Sequence, residues 1–259
     1  TVATIPDGDP KEFSDLSSAF AKAQDNTIAE NKVVTLTADY TISSSLSLPQ
    51  EVTLVVPAER TLTVSNGASF TVSGTLKLEG NLNIAIGASV SVQYGELVNN
   101  GEITLAGSTA TGNIATMTVN GGYSGRGSID VGARATVSLP SNTEIGGSLT
   151  VAAGAEVTSS GTLTITGTAD ISSGGKLSAT AIEIDSSGKI DNSGEIGAVT
   201  VDTRATLTIS DSAATVGAMT VHGTLAFESD FSVSSIFGNG RISISSGCEV
   251  TLPSGFSFT

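Results

Sequence analysis

Few residues in this chain have the types and spacing that chemistry requires. Glu183, Asp185, Asp191, Glu195 and Asp202 crowd one stretch, with Lys189 and Arg204 beside them. Carboxylates that converge can hold calcium. The plainer reading, and the preferred one, is a solvated acidic face of alternating charge. His222 is the single histidine, so a His-dependent triad or a His/Cys zinc site has no second ligand to draw on. Alignment of AMTVHGTLAF with TLTVSNGASF places it at a turn, where Ser65 sits. Cys248 follows Gly247 in a slot that Ala68, Ala88, Ala133 and Ala155 fill elsewhere, which predicts a small inward-facing residue. GYSGRG at 122–127 lacks the Lys-Ser/Thr ending and the strand-to-helix setting of a phosphate loop. Sugar binding recruits exposed aromatics, yet Trp is absent and Tyr is limited to Tyr40, Tyr94 and Tyr123. Tyr123 with Arg126 is the one pair singled out for ligand contact. Phe227, Phe231 and Phe237 read as packing of the last rungs or as cover for an open end.

The elements that must position these residues follow from composition. The chain has 259 residues, 30 Gly, 6 Pro, 1 Cys and no Trp. Ser and Thr make up more than a quarter of it, and charged residues only 14%. A hydrophobic share of 39% argues against disorder, and one cysteine excludes a disulfide scaffold. No apolar run reaches the length of a membrane span. The net charge is -14, and the 11 basic residues are scattered. Nucleic acid binding needs a concentrated basic face and is therefore not expected, nor is attachment to an anionic membrane. The start, TVATIPDGDP, has no basic or apolar leader region. It reads as a mature or trimmed piece of an exported protein, and a lone cysteine suits an oxidising compartment.

One pattern recurs at about twenty residues. TLTVSNGASFTV (61–72), NLNIAIGASVSV (81–92) and SLTVAAGAEVTS (148–159) share strict alternation, a polar turn with Gly, then alternation again. Leu62 and Val64 face one way while Thr61 and Thr63 face the other, the period of a half-buried strand. Hairpins could use Asn66-Gly67, but they do not explain a rung-length repeat with one apolar face. Parallel coiling does, because inward residues then stack in columns. The predicted stacks include Val64–Ile84–Leu105 and Val201–Val221–Ile244. The register slips at 106–127, which predicts either a short rung with wide corners or a protruding loop.

Residues 9–25 are patterned as an amphipathic helix along Phe13, Leu16, Phe20 and Ala23. Asp9 is the expected N-cap, Pro10 the first helical residue, and Glu12 the partner in a capping box. Such a helix would hide the exposed edge of the first rung. This divides the chain into a cap, 1–32, and one continuous β-helix of roughly ten to twelve rungs, 33–259. At about 4.8 Å per rung, that is a rod on the order of 50 Å.

The helix, then VVTLTADYTI and SLSLPQEVTLVV, resembles the entry to the right-handed parallel β-helices called pectin-lyase-like. Rungs such as TLTVSNGASFTVSGTLKLEG are similar to those of bacterial cell-surface and autotransporter-like proteins. The resemblance implies an all-β, right-handed parallel β-helix with a short N-terminal capping α-helix. It also raises catalysis, because the family includes polysaccharide hydrolases and lyases. The hydrolases' Asn-x-Asp, Asp-Asp, Gly-His-Gly and Arg-x-Lys strings do not occur. The lyases' calcium-binding carboxylates and basic proton abstractor have their nearest counterparts in the acidic residues above, with Lys189 and Arg204. The function expected is a non-catalytic extracellular structural or adhesive module of a larger surface or secreted protein, with no cofactor, metal or catalytic residue. A lyase-like enzyme with an acidic groove is the alternative. Ice binding is a minor one, since Thr-x-Thr recurs at 61–63, 162–164 and 206–208 among Ser, Asn, Glu and Lys. Expected partners are a host or matrix glycan or protein. SGFSFT has no polar cap: the natural chain continues, or Phe256 and Phe258 cover the last rung, or two molecules meet end to end.

Overall fold

The computed structural model describes residues 1–6, 11–28, 32–110, 112–254 and 256. The chain is an all-β parallel β-solenoid of about 11 turns, with one short helix near its N-terminus. It divides into two compact units, Thr1–Asp130 with Ala135–Pro140, and Val131–Arg134 with Ser141–Thr259.

In the first unit, alternation produces three parallel ladders. One runs through Val33–Leu36, Thr53–Val56, Thr75–Leu78, Glu96–Asn99 and Gly122–Ser124. A second runs through Tyr40–Ile42, Thr61–Val64, Asn81–Ile84 and Glu102–Leu105. The third runs through Leu46–Leu48, Ser69–Val72, Ser89–Val92, Thr116–Val119 and Thr136–Leu139. Every second side chain points inward, so like sits on like. Val64, Ile84 and Leu105 stack as their spacing predicts. Phe70, Val90, Met117 and Val137 form another column, each at most 1% exposed. Each such Val, Leu or Ile contributes about 1.5–3 kcal/mol through burial.

The second unit repeats the plan. Ser148–Val151, Thr168–Ile171, Lys189–Asn192, Thr206–Ile209, Thr224–Phe227 and Arg241–Ile244 lie on one sheet. Thr143–Ile145, Thr162–Ile165, Ala181–Ile184, Val199–Val201, Met219–Val221 and Ile236–Gly238 form another. Glu156–Ser159, Lys176–Ser178, Glu195–Ile196 and Thr215–Val216 form the third. Val201 stacks on Val221 as expected, but Val221 then meets Gly238, while Ile244 stacks on Phe227. The short turns at 228–240 shift the register, which spacing alone could not follow.

The turns explain the small residues. Gly67 has φ 77° and Gly154 φ 73°, the left-handed region that glycine enters without steric cost. Arg134 holds the same turn position at φ 63°, so the inward slot after it belongs to Ala135 and not to Ala133. Ala68, Ala88, Ala115 and Ala135 are the buried column there. The slip at 106–127 resolves into a long connection to Ala115, followed by two ordinary strands at Thr116–Val119 and Gly122–Ser124.

The N-terminal cap differs from its sequence pattern. The helix is Leu16–Asp25, with Asp15 as its N-cap. Asp9 and Pro10 lie outside the described residues. Lys11–Phe13 is a strand, antiparallel to Ala3–Ile5, which in turn pairs antiparallel with Val33–Leu36. Strand pairing satisfies backbone groups that an extra helical turn would have left at the sheet edge. Glu12 therefore completes no capping box; it accepts a bond from the Thr1 hydroxyl at 2.6 Å. Leu16, Ala19, Phe20 and Ala23 are buried against the first strands.

Candidate functional site

The second unit distributes the five acidic candidates over its three ladders. Glu183 points outward from Ala181–Ile184, between Thr164 and Thr200. Asp185 and Asp202 begin the turns that follow Ile184 and Val201, and the Asp202 N–H donates to the Ile184 carbonyl at 2.9 Å. The Asp202 carboxylate accepts from the Thr203 N–H at 3.1 Å, and that of Asp185 from the Ser186 N–H. Glu183, Asp185 and Asp202 thus come together, with Ile184 and Thr200, in a depression of about 250 Å3. No basic side chain lines it.

Asp191 and Glu195 stand elsewhere. Asp191 is the register partner of Asp170, and its carboxylate accepts a bond from the Ser210 hydroxyl. Glu195 lies on the third ladder beside Lys176, whose ammonium is 3.5 Å from Glu195 and 3.8 Å from Glu156. These three side chains flank a trough of about 390 Å3 floored by Gly154, Gly174 and Gly194. Such half-exposed pairs contribute little to stability. Among the described residues, no group of three or more His, Cys, Asp or Glu is placed to hold a metal ion.

His222 is an exposed turn residue, and its Nδ1 lies 2.8 Å from Asn239 Oδ1. Cys248 is a free thiol in the expected slot: its N–H donates to the Ser245 carbonyl at 3.2 Å, as that of Ala68 does to Ser65. It is only half-buried, unlike Ala68, because the last turns leave their inward residues partly open.

Tyr123 and Arg126 have opposite surroundings. Tyr123 stacks on Leu97 and is half-buried, and its phenol oxygen accepts from Asn99 Nδ2 at 3.4 Å. Burial raises the phenol above its ordinary pKa, and the bond from Asn99 offsets part of this. Arg126 is exposed at the following corner, its N–H bonded to Asn100 Oδ1 at 3.3 Å. The phenol is therefore turned to a structural amide and is not a free stacking platform. Phe227 is buried and stacks on Phe231 at 5.6 Å, whereas Phe237 is 64% exposed.

Two features escaped the sequence. Asn99 and Asn192 are fully buried at the inward ends of their strands. Asn99 Oδ1 accepts from the Gly101 N–H, and its Nδ2 donates to the Ser128 carbonyl on the next turn. Asn192 repeats this with Gly194 and Thr215. The shared Asn-x-Gly string was the available signal. The second feature is the outer face of the first unit's third ladder, where every outward strand residue is Ser or Thr.

No family model matches the chain, and no curated protein sequence does. A solved structure of a TibC-catalysed, hyper-glycosylated fragment of TibA matches at 17% identity, over 86% of this chain and 92% of that one. Its TM-score is 0.29, and the likeness carries no argument about what this chain does.

Proposed function

We propose that this chain is a non-catalytic structural or adhesive β-helix module of a larger secreted or cell-surface protein, of the right-handed, pectin-lyase-like kind. The observation that carries the reading is the dispersal of the reactive side chains over separate ladders, set against outer faces rich in Ser and Thr. Such a body offers a regular surface and, among the described residues, no assembled set of nucleophile, base and electrophile. Its partners would be a host or matrix glycan or protein, met by the outer faces.

The depression at Glu183, Asp185 and Asp202 favours a second reading, a polysaccharide lyase or hydrolase with an acidic groove. Incubation with polygalacturonate and with neutral glucans, read as new reducing ends and unsaturated uronide, separates the two. The module reading expects no turnover. Turnover that disappears in the double substitution Asp185→Asn, Asp202→Asn would replace it with the enzyme.

A further inference from the structure

The third ladder of the first unit carries two in-register rows of hydroxyls. Ser69, Ser89, Thr116 and Thr136 form one row. Ser47, Thr71, Ser91, Thr118 and Ser138 form the other. Parallel stacking sets neighbours within a row about 4.8 Å apart, and the strand period sets the rows roughly 7 Å apart. No charged residue interrupts either row, although the chain carries 25 acidic and 11 basic residues. The other ladders do not share this property. Lys77 and Glu96 point outward from the first ladder, Glu102 from the second, and Asp170, Lys189 and Asp191 from a ladder of the second unit.

In three successive turns the corner that leaves this face is neutral as well, holding Ser73-Gly74, Gln93-Tyr94-Gly95 and Asn120-Gly121. The turn before them carries Glu51 there, paired with Lys32 at 2.6 Å. A Cβ on Gly95 would lie 1.7 Å from the Gly74 carbonyl oxygen, and one on Gly121 2.0 Å from that of Gly95, so this corner is kept low by glycine. Tyr94 stands out of it at 85% exposure, the most exposed large apolar side chain described. An aromatic left in water beside a flat polar array has an apolar ring to cover and a hydroxyl to bond. Hydroxyls and amides donate and accept alike, so they match a ligand that is itself made of hydroxyls. A charged ligand would find no counter-charge in these two rows.

We infer that this hydroxyl face, with Tyr94 at its rim, is a docking surface for an uncharged polysaccharide laid across successive turns, its sugar hydroxyls bonding the two rows and one ring stacking on Tyr94. The inference rests on the adhesive reading but fails separately from it, since turnover sinks that reading and absence of retention sinks only this face. The test is retention of the whole chain on insoluble cellulose, chitin and mannan, with polygalacturonate as the charged control. Retention on at least one neutral polymer and none on polygalacturonate is expected. Tyr94→Ala should weaken it about tenfold, the worth of one ring contact. Ser91→Glu with Thr118→Glu should abolish it, while Thr63→Glu on the second ladder leaves it unchanged. Circular dichroism and the unfolding midpoint confirm that each variant is folded. Failure of all three neutral polymers to retain the chain overturns the inference. So does retention indifferent to the first two variants. Ice-growth inhibition that replaces retention and is lost in Ser91→Glu, Thr118→Glu overturns it too, assigning the face to ordered water.

Discussion

The first turn of the N-terminal unit and the last described turns of the C-terminal unit place their apolar side chains in different surroundings. A stacked parallel coil leaves backbone groups and an apolar cross-section open wherever stacking stops. The N-terminal unit closes its first turn with an antiparallel pair and a helix, and Leu16, Ala19, Phe20 and Ala23 are at most 2% exposed. In the last described turns of the C-terminal unit the inward Ile244, stacked on Phe227, is 49% exposed and Leu252 37%, while Phe237 points outward beside Thr220 at 64%. The same residue types therefore hold very different shares of the stability. Phe20→Ala is expected to cost about 3–5 kcal/mol, the usual range for a buried aromatic. Phe237→Ala should stay within about 0.5 kcal/mol, as surface substitutions do. Urea midpoints of the two variants test the contrast, and equal losses would erase it.

Away from these turns, the two units can be compared through their buried amides. Asn99 bonds Gly101, Ser128 and Tyr123, while Asn192 bonds Gly194 and Thr215. Removing either leaves backbone groups of a corner without their partner, at a cost of about 1–3 kcal/mol. Asn99→Ala should be the larger loss, because Tyr123 also loses its donor. It should also raise the Tyr123 pKa further, since the bond now favours the phenolate. Tyr123 titrates above its ordinary value, so the neutral phenol's stabilisation is present at neutral pH and lost as pH rises beyond the tyrosine range. Ultraviolet titration of the phenol, alongside unfolding, separates this from a cavity effect. Identical losses for the two asparagines would remove the extra weight given to Tyr123.

What the sequence conveyed was whatever alternation controls. Leu62, Val64 and Phe70 announce their faces by period, and Gly67 its turn. The long-range partners of 228–251 did not follow, because short turns of unequal length reset the register without changing the alternation. The cap failed for a related reason. Phe13 fits a helical stripe and a strand equally, and pairing with Ala3 decided it. At the candidate site, nearness along the chain suggested one acidic groove. Residues a few positions apart around a coil fall on different ladders, so Glu195 and Asp191 separate while Asp185 and Asp202, one turn apart, meet. The hydroxyl face needed the reverse inference, since Ser47, Thr71, Ser91 and Thr118 become neighbours only once the rungs are in register.

The smallest expected effect probes the cap's start. Asp15 sits in extended backbone, φ −150° and ψ 155°, and its carboxylate accepts from the Ser18 N–H at 2.8 Å and the Ser18 hydroxyl at 2.9 Å. Those bonds, the backbone one foremost, hold its pKa below the ordinary aspartate value. Asp15→Ala should remove about 1 kcal/mol, the usual worth of an N-cap. A depressed folded pKa stabilises fully above the unfolded value and is lost as pH falls through the folded one. The gap between wild type and Asp15→Ala should therefore be flat near neutrality and narrow on acidification through the carboxylate range. Asp15→Asn keeps a capping oxygen but cannot titrate. Its stability should stay close to wild type at neutral pH, and the gap between it and Asp15→Ala should not narrow in acid. Unfolding midpoints of the three proteins across that range decide the matter. If the gap between wild type and Asp15→Ala is constant with pH, Asp15 is not the cap that starts the helix at Leu16, and the first turn must be closed by strand pairing and burial alone.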